Sequence, residues 1–296
     1  MTGDPIPRAE WDIDVPLVRA LLSEQHPDLA GLTIEPFTSG WDNKLFRLGA
    51  DMVVRMPRRA AAIPLLTREQ RWLPELAQRL SLPIPAPIRM GLPTSRYPSP
   101  WSIVPWLRGS PVAEQPCRAD QAAPLARFLR SLHVPAVADL PRSPVRGGWL
   151  RDRAPTIEER LDRAARKTPL ITPAIREIWR NALAAAPDPQ DTWIHGDLHS
   201  RNVLVERGRL SAIIDWGDLC RGDRATDLAS FWMLLPNTRA RAVAREAYGP
   251  VPDGTWERAL GWAVGFGTML LNASITDDPR YAAMGEKILR QLAAEH

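Results

Sequence analysis

The chain has 296 residues and a mass of 33.1 kDa, with 45% hydrophobic and 24% charged residues, values that exclude a disordered or fibrous protein. Its net charge of +4 comes from scattered arginines without a basic, aromatic-interleaved tract, which argues against a nucleic-acid partner. No apolar run reaches the ~18 residues of a membrane span, the start MTGDPIPRAEWDID lacks a signal-peptide core, and Cys117 and Cys220 are too few for a disulfide framework, so the expected location is the cytoplasm.

Residues 14–25 (DVPLVRALLSEQ) place apolar side chains at helical spacing and predict a short helix. Strand-like runs follow at Leu32–Thr38, Leu45–Leu48 and Met52–Met56, separated by the turn residues Ser39–Asn43 and Gly49-Ala50-Asp51, which is the pattern of a β-meander. Residues 65–80 predict an amphipathic helix with a kink at Pro74. Nine prolines between Pro83 and Pro116 exclude helix there, and Ile88–Gly91 and Trp101–Leu107 are the expected last strands of the same sheet. The remainder reads as helices over 119–132, 153–167, 173–186, 223–235, 238–248, 254–273 and 279–294. One interruption, 193–214, reads as a strand-like piece, a loop and two short β runs around Glu206-Arg207-Gly208. The expectation is an α+β protein with a β-rich lobe, 1–105, and a helical lobe, 106–296.

The segment that carries chemistry is His195-Gly196-Asp197-Leu198-His199-Ser200-Arg201-Asn202, followed by Ile213-Ile214-Asp215-Trp216-Gly217-Asp218. Phosphoryl transfer in kinases uses a carboxylate beside the acceptor hydroxyl and oxygen ligands that hold Mg²⁺ on the phosphates. Asp197 and Asn202 have the five-residue separation of the kinase catalytic loop, and Asp215-Trp216-Gly217 stands after an apolar hairpin where the second metal ligand belongs.

HGDLHSRNVLV with IIDWGD resembles the aminoglycoside phosphotransferase family, which includes macrolide phosphotransferases and is related to choline and homoserine kinases. The resemblance extends over most of the chain. FTSGWDNKLFRL is similar to the family's nucleotide loop, VVRMPRR to its third strand, ARFLRSLH to the helix before the catalytic loop, and RGDRATDLAS to the segment after the metal site. It implies a bilobal, protein-kinase-like fold and transfer of the γ-phosphate of ATP or GTP, with Mg²⁺, to a hydroxyl of a small molecule. Carried over by position, Asp197 is the catalytic base, and Asn202 and Asp215 are the metal ligands. Arg55 stands where the family commonly has the phosphate-binding Lys, and Glu69 is its ion-pair partner. The turn with Ser39, Gly40 and Asn43 lies over the phosphates, and the hinge Ile103–Leu107, with Val104 and Trp106, meets the nucleobase.

Several residues have plainer readings. Lys44, the competing cation, reads as surface. Arg55, flanked by Val53, Val54 and Met56, reads as a buried, paired side chain. His195 and His199 sit four apart around Asp197, but Gly196 interrupts any helix between them and no third His lies nearby, so a transition-metal hydrolase is the remoter alternative. Asp227 reads as an anchor for the catalytic loop. The acceptor is the open question. From Asp223 to the end, nine acids stand against eight Arg or Lys, which does not single out a polycation. Glu114, Glu158, Glu159 and Asp162 are the acids placed to line a cleft. An antibiotic O-phosphotransferase of aminoglycoside or macrolide type, a kinase of a sugar, amino alcohol or other metabolite, and a catalytically impaired nucleotide-binding module all remain open. Monomer and dimer are equally compatible with the sequence.

Overall fold

A computed structural model describes residues 7–143, 145–273 and 279–295. The opening residues MTGDPI, read above for a signal peptide, lie outside the described residues. The chain divides into a sheet unit, residues 6–108 with 212–217, and a helical unit that takes in 109–211 and 218–296.

In the sheet unit, α1 (Val15–Gln25) begins at Asp14, whose carboxylate accepts the Leu17 N–H at 2.8 Å. The meander β1 (Ile34–Ser39), β2 (Asn43–Leu48) and β3 (Met52–Pro57) is continued by β4 (Arg89–Gly91) and β5 (Trp101–Pro105). The order is β1-β2-β3-β5-β4, antiparallel throughout. The strand period of two sorts the side chains. Phe46, Leu48, Val54, Met56 and Ile103 join Val18, Leu21 and Leu22 of α1 in one core. The opposite face carries Arg55 and packs against α2 (Ile63–Arg79), which continues through Pro74 as one helix. Gln70 of α2 donates to the Trp101 carbonyl at 2.9 Å and to Ser102 Oγ at 3.0 Å, tying helix to sheet. At the sheet edge Gly91 lies under the Trp101 ring, where a Cβ would come within 1.8 Å of it.

The helical unit opens with the short strand β6 (Ser110–Pro111), then α3 (Ala122–Leu132), α4 (Ala154–Ala165) and α5 (Pro173–Ala184). β7 (Thr192–Ile194) leads into the 195–202 loop, and β8 (Val203–Glu206) and β9 (Arg209–Ile213) form the hairpin after it. β10 (Cys220–Gly222) returns antiparallel to β7. Then come α6 (Ala225–Leu228), α7 (Phe231–Leu234), α8 (Thr238–Tyr248), α9 (Thr255–Ala273) and α10 (Pro279–Ala293). α9 lies at the centre of the unit, packed by α4, α5, α6 and α10.

Three differences from the sequence expectation have physical causes. The helix expected over 223–235 is two short helices, because Ser230, Trp232 and Met233 donate three residues back rather than four. The expected helices at 119 and 153 begin with tight 3₁₀ turns, Ala119–Gln121 and Leu150–Arg153. β6 and β10 were not expected, being too short to show alternation.

Candidate active site

On the Arg55 face of the sheet, cross-strand register places Asn43, Leu45 and Arg47 of β2 beside Val53 and Arg55 of β3, and those beside Ser102 and Val104 of β5. Arg55 and Glu69 are both buried, 8% and 3% exposed, and joined by two contacts at 3.0 and 3.1 Å. Two parallel contacts are what a guanidinium fork makes with a carboxylate. Burial pushes the Glu69 carboxyl up, while Arg55 and the backbone N–H of Trp216, which Glu69 also accepts, pull the other way. Arg68, one residue earlier, donates to the Gly217 carbonyl at 3.3 Å. Adjacent residues of α2 therefore hold both Arg55 and the Asp215-Trp216-Gly217 turn.

That turn has an exposed Asp and a fully buried Trp side by side. The Trp216 ring N–H donates to the Ile213 carbonyl at 3.0 Å, and Ile213 N–H to the Pro83 carbonyl at 3.0 Å. Asp215 sits at φ 62°, a left-handed conformation that non-glycine residues adopt rarely and that concentrates at functional sites. Asp42 belongs to the same electrostatic group. Its carboxyl is pushed up by burial, against the pull of Arg59 at 2.7 Å, and Asp215 raises it further.

The turn between β1 and β2 is closed by Gly40 N–H to the Asn43 carbonyl at 2.9 Å, and Arg58 donates to the Gly40 carbonyl at 2.8 Å. Register separates its residues. Asn43 pairs with Pro57 on the Arg55 face, whereas Ser39 pairs with Lys44, which pairs with Met56 on the α1 face. There Ser39 and Lys44 line a cavity of about 350 Å³ with Trp11 and Ile13, so the Ser39 side chain is not brought to Arg55. Lys44 is not a free surface lysine: its ammonium donates to the Ile13 carbonyl at 2.6 Å and is half-buried. At the expected hinge, Val104 is buried beside Val53. The Trp106 N–H is taken by the Asp51 carbonyl at 2.8 Å, and its indole lies 3.8 Å under the Arg47 guanidinium, with Phe37 edge-on at 5.0 Å.

In the helical unit the 195–202 loop is held from below. Asp227, fully buried, accepts the N–H groups of His195 at 2.7 Å and Gly196 at 2.9 Å, which is the anchoring read from the sequence. His133 Nε2 lies 3.2 Å from Asp227 Oδ2, and His133 Nδ1 lies 2.8 Å from the Tyr248 hydroxyl, itself pushed up to about 12 by burial against Arg224 and Arg130. Gly196 has φ 84°, and a Cβ there would come within 2.9 Å of the Asp218 carbonyl, so only glycine fits.

Inside the loop, Asn202 donates its amide to the Asp197 carbonyl at 2.9 Å. The Asp197 N–H is 3.2 Å from His195 Nδ1, and the Arg201 N–H 3.2 Å from His199 Nδ1. Each Nδ1 thus accepts, which places the ring proton on Nε2. For His199 that nitrogen lies 3.5 Å from Asp197 Oδ2. Both histidines are therefore spent inside the loop, with Nδ1 unavailable to a metal. Arg146, from the segment between α3 and α4, contacts Asp197 at 2.9 Å and Asp218 at 3.4 Å. Burial pushes the Asp197 carboxyl up, but the Arg146 guanidinium and the His199 ring N–H outweigh it and hold it well below the ordinary carboxylate range. Arg146 and His133 are site residues that motif reasoning missed; neither has a fixed spacing to Asp197.

A profile of the phosphotransferase enzyme family (APH) matches residues 33–262. Among solved structures, the chain is similar to the GDP complex of aminoglycoside 2'-phosphotransferase-IIIa at 19% identity and TM-score 0.67, over 96% of this chain and 99% of that one. It is similar to the macrolide 2'-phosphotransferase MphH from Brachybacterium faecium at 24% identity and TM-score 0.60, over 93% and 97%. A third likeness is to the streptomycin–ATP ternary complex of APH(2")-IIa, at 18% identity and TM-score 0.56 over 88% of each chain. Comparison with curated protein sequences gives no significant match. The α+β fold is that of these kinase-like phosphotransferases.

Proposed function

The chain belongs to the phosphotransferase enzyme family and is an enzyme that transfers phosphoryl groups to hydroxyls, and from that premise we propose that it takes the γ-phosphate of ATP or GTP, with Mg²⁺, to a hydroxyl of a small molecule. The observation that carries this reading is Asp197: a carboxylate kept ionised by Arg146, on a loop fixed by Asp227, five residues before Asn202.

Asp197 accepts the hydroxyl proton at its carboxylate and aligns the acceptor oxygen with the phosphorus, so that catalysis is mainly positioning. Arg55, kept rigid by Glu69, is the phosphate cation; its fork suits phosphate oxygens as well as an ammonium does. The residues present fit Mg²⁺. Asn202 commits its amide nitrogen to the loop and keeps its oxygen as donor, and Asp215 is an exposed carboxylate whose charge raises Asp42 and Glu69. Oxygen donors of this kind suit a hard cation, and bound Mg²⁺ neutralises charge on the phosphates. Asn43, Val104 and Trp106 line the donor face, and the solved relatives are named as complexes with GDP and ATP. A nucleoside triphosphate donor makes the cytoplasm its place of action.

Aminoglycosides and macrolides, named for the relatives, are the first acceptor classes to test. A specific observation favours the second reading, a metabolite kinase: three of the four acids expected to line the cleft have partners of their own. Glu158 accepts from Trp179, Glu159 pairs with Arg163 and Asp162 with Arg176, at 3.3, 2.5 and 3.0 Å. The donor half is tested by titrating ATP and GTP with and without Mg²⁺. Wild-type binding is expected to require the cation and Asp215→Ala to lose that requirement; nucleotide binding indifferent to both Mg²⁺ and Asp215 defeats the assignment.

A further inference from the structure

The surroundings of Asp197 in the helical unit bear on the acceptor. Arg153, immediately before α4, and Ile157 and Arg160 within it, stand at i, i+4 and i+7 and so share one stripe of the helix. Ile157 is buried with its Cδ1 3.0 Å from where a Cβ on Gly265 would lie, and Asn272 donates to the Arg160 carbonyl at 3.3 Å. The stripe therefore lies along α9. The same helix presents Phe266, whose ring is 5.5 Å from the Arg146 guanidinium, and Met269, whose sulfur is 4.0 Å from it. Arg146 in turn holds Asp197.

Three guanidiniums thus gather along one helix, and one of them, Arg146, holds the carboxylate read as the base. Burial lowers the basicity of Arg153 and Arg160; repulsion from Arg146 lowers Arg153 further, and repulsion from Arg153, Arg146 and Arg163 lowers Arg160 further against the pull of Glu159. Among the described residues neither Arg153 nor Arg160 has an ion-pair partner, because the acids of α4 are bound to Trp179, Arg163 and Arg176. Half-buried like charges are costly, Glu159 offsets only part of that cost at Arg160, and a ligand that brings an anion removes the rest.

Resting on the phosphotransferase reading, we propose that the acceptor is a hydroxyl compound carrying a carboxylate or phosphate group, held through that group by Arg153 and Arg160 with its hydroxyl directed to Asp197. Polycations are repelled from this site. The acceptor oxygen forms its bond to Pγ as the bond from Pγ to the β–γ bridging oxygen breaks. That electron pair leaves with the nucleoside diphosphate, and the hydroxyl proton passes to Asp197.

The test uses the full chain and calorimetric titration with three probes: glucuronate, its neutral amide glucuronamide, and kanamycin as polycation. Glucuronate is expected to bind at least about tenfold more tightly than either of the others, as charge-assisted contacts to arginine require. Arg153→Gln with Arg160→Gln should erase that preference, and the single Arg160→Glu, a check independent of the double variant's folding, should shift it towards kanamycin. Binding without anion preference, a preference that survives the double variant, or kanamycin as the tightest probe overturns the proposal. So does a double variant that raises the KM for nucleotide instead of acceptor, which would assign the arginines to the donor. Mg²⁺-dependent turnover of ATP or GTP is scored in the same preparations, so turnover without anion preference refutes this inference and leaves the phosphotransferase reading standing.

Discussion

Asp227→Asn tests whether the 195–202 loop is held by one buried carboxylate. Asp227 is fully buried and accepts two backbone N–H groups, at 2.7 and 2.9 Å, while its Oδ2 also faces His133 Nε2 at 3.2 Å. An asparagine keeps the volume, but only one of its two terminal atoms accepts; the amide nitrogen meets a donor. One buried N–H is then stranded, at a cost of about 1–3 kcal/mol. Asp227→Ala strands both and opens a cavity, for about 2–6 kcal/mol before His133 is counted, comparable with the whole stability of many domains. Urea unfolding followed by fluorescence of the 12 tryptophans reports the change. With a slope of about 3 kcal/mol per molar urea, Asp227→Asn lowers the midpoint by roughly 0.3–1 M. Turnover should fall by more than the folded fraction does, because Asp197 lies two residues past His195. An Asp227→Asn protein with the wild-type midpoint and turnover would refute the anchoring argument.

Two further outcomes follow from the ion pairs. Arg55→Ala leaves Glu69 buried without its partner, so it should cost about 3–5 kcal/mol in thermal or urea unfolding and weaken nucleotide binding, with Arg55→Lys recovering part of both; an alanine variant as stable as wild type would contradict the buried-pair reading. Arg146→Met removes the cation that keeps the Asp197 carboxyl low, so burial carries it upward and the acid limb of the pH–kcat profile moves to higher pH. The sign is that of a depressed acid: its contribution to stability is present above about pH 4 and is lost as pH falls through the folded-state value, so Arg146→Met also forfeits stability at neutral pH. An unmoved acid limb would show that Arg146 does not govern Asp197.

What the sequence made readable is what depends on local spacing. The separation of Asp197 from Asn202, the turn at Asp215-Trp216-Gly217 and the alternation of β3 are short-range patterns, and the Arg55–Glu69 pair lies where a strand followed by an amphipathic helix puts it. Arg146 escaped because it lies in an irregular segment 51 residues before Asp197, and only tertiary packing on Phe266 and Met269 brings it there. His133 closes a segment already matched to a helix, but its bond to Asp227 spans 94 residues. Lys44 read as surface because its position at a turn edge says nothing of the Ile13 carbonyl it caps. Ser39 was grouped with Asn43 by adjacency, and the strand register then put it with Lys44 on the α1 face. The acids placed to line a cleft were named from their segments alone, which do not reveal that Glu159 and Asp162 pair with Arg163 and Arg176.

The central claim is that Asp197 serves phosphoryl transfer rather than the integrity of its loop. Its most direct test is single-turnover transfer from γ-labelled ATP or GTP, with Mg²⁺, to a panel of anionic, neutral and cationic hydroxyl compounds, comparing wild type with Asp197→Asn, which keeps the side-chain shape and the backbone carbonyl that Asn202 grips. The account predicts labelled acceptor with the wild type, loss of about 10²–10⁴-fold in the transfer step with the variant, and nucleotide binding retained. Transfer by Asp197→Asn at the wild-type rate would contradict it.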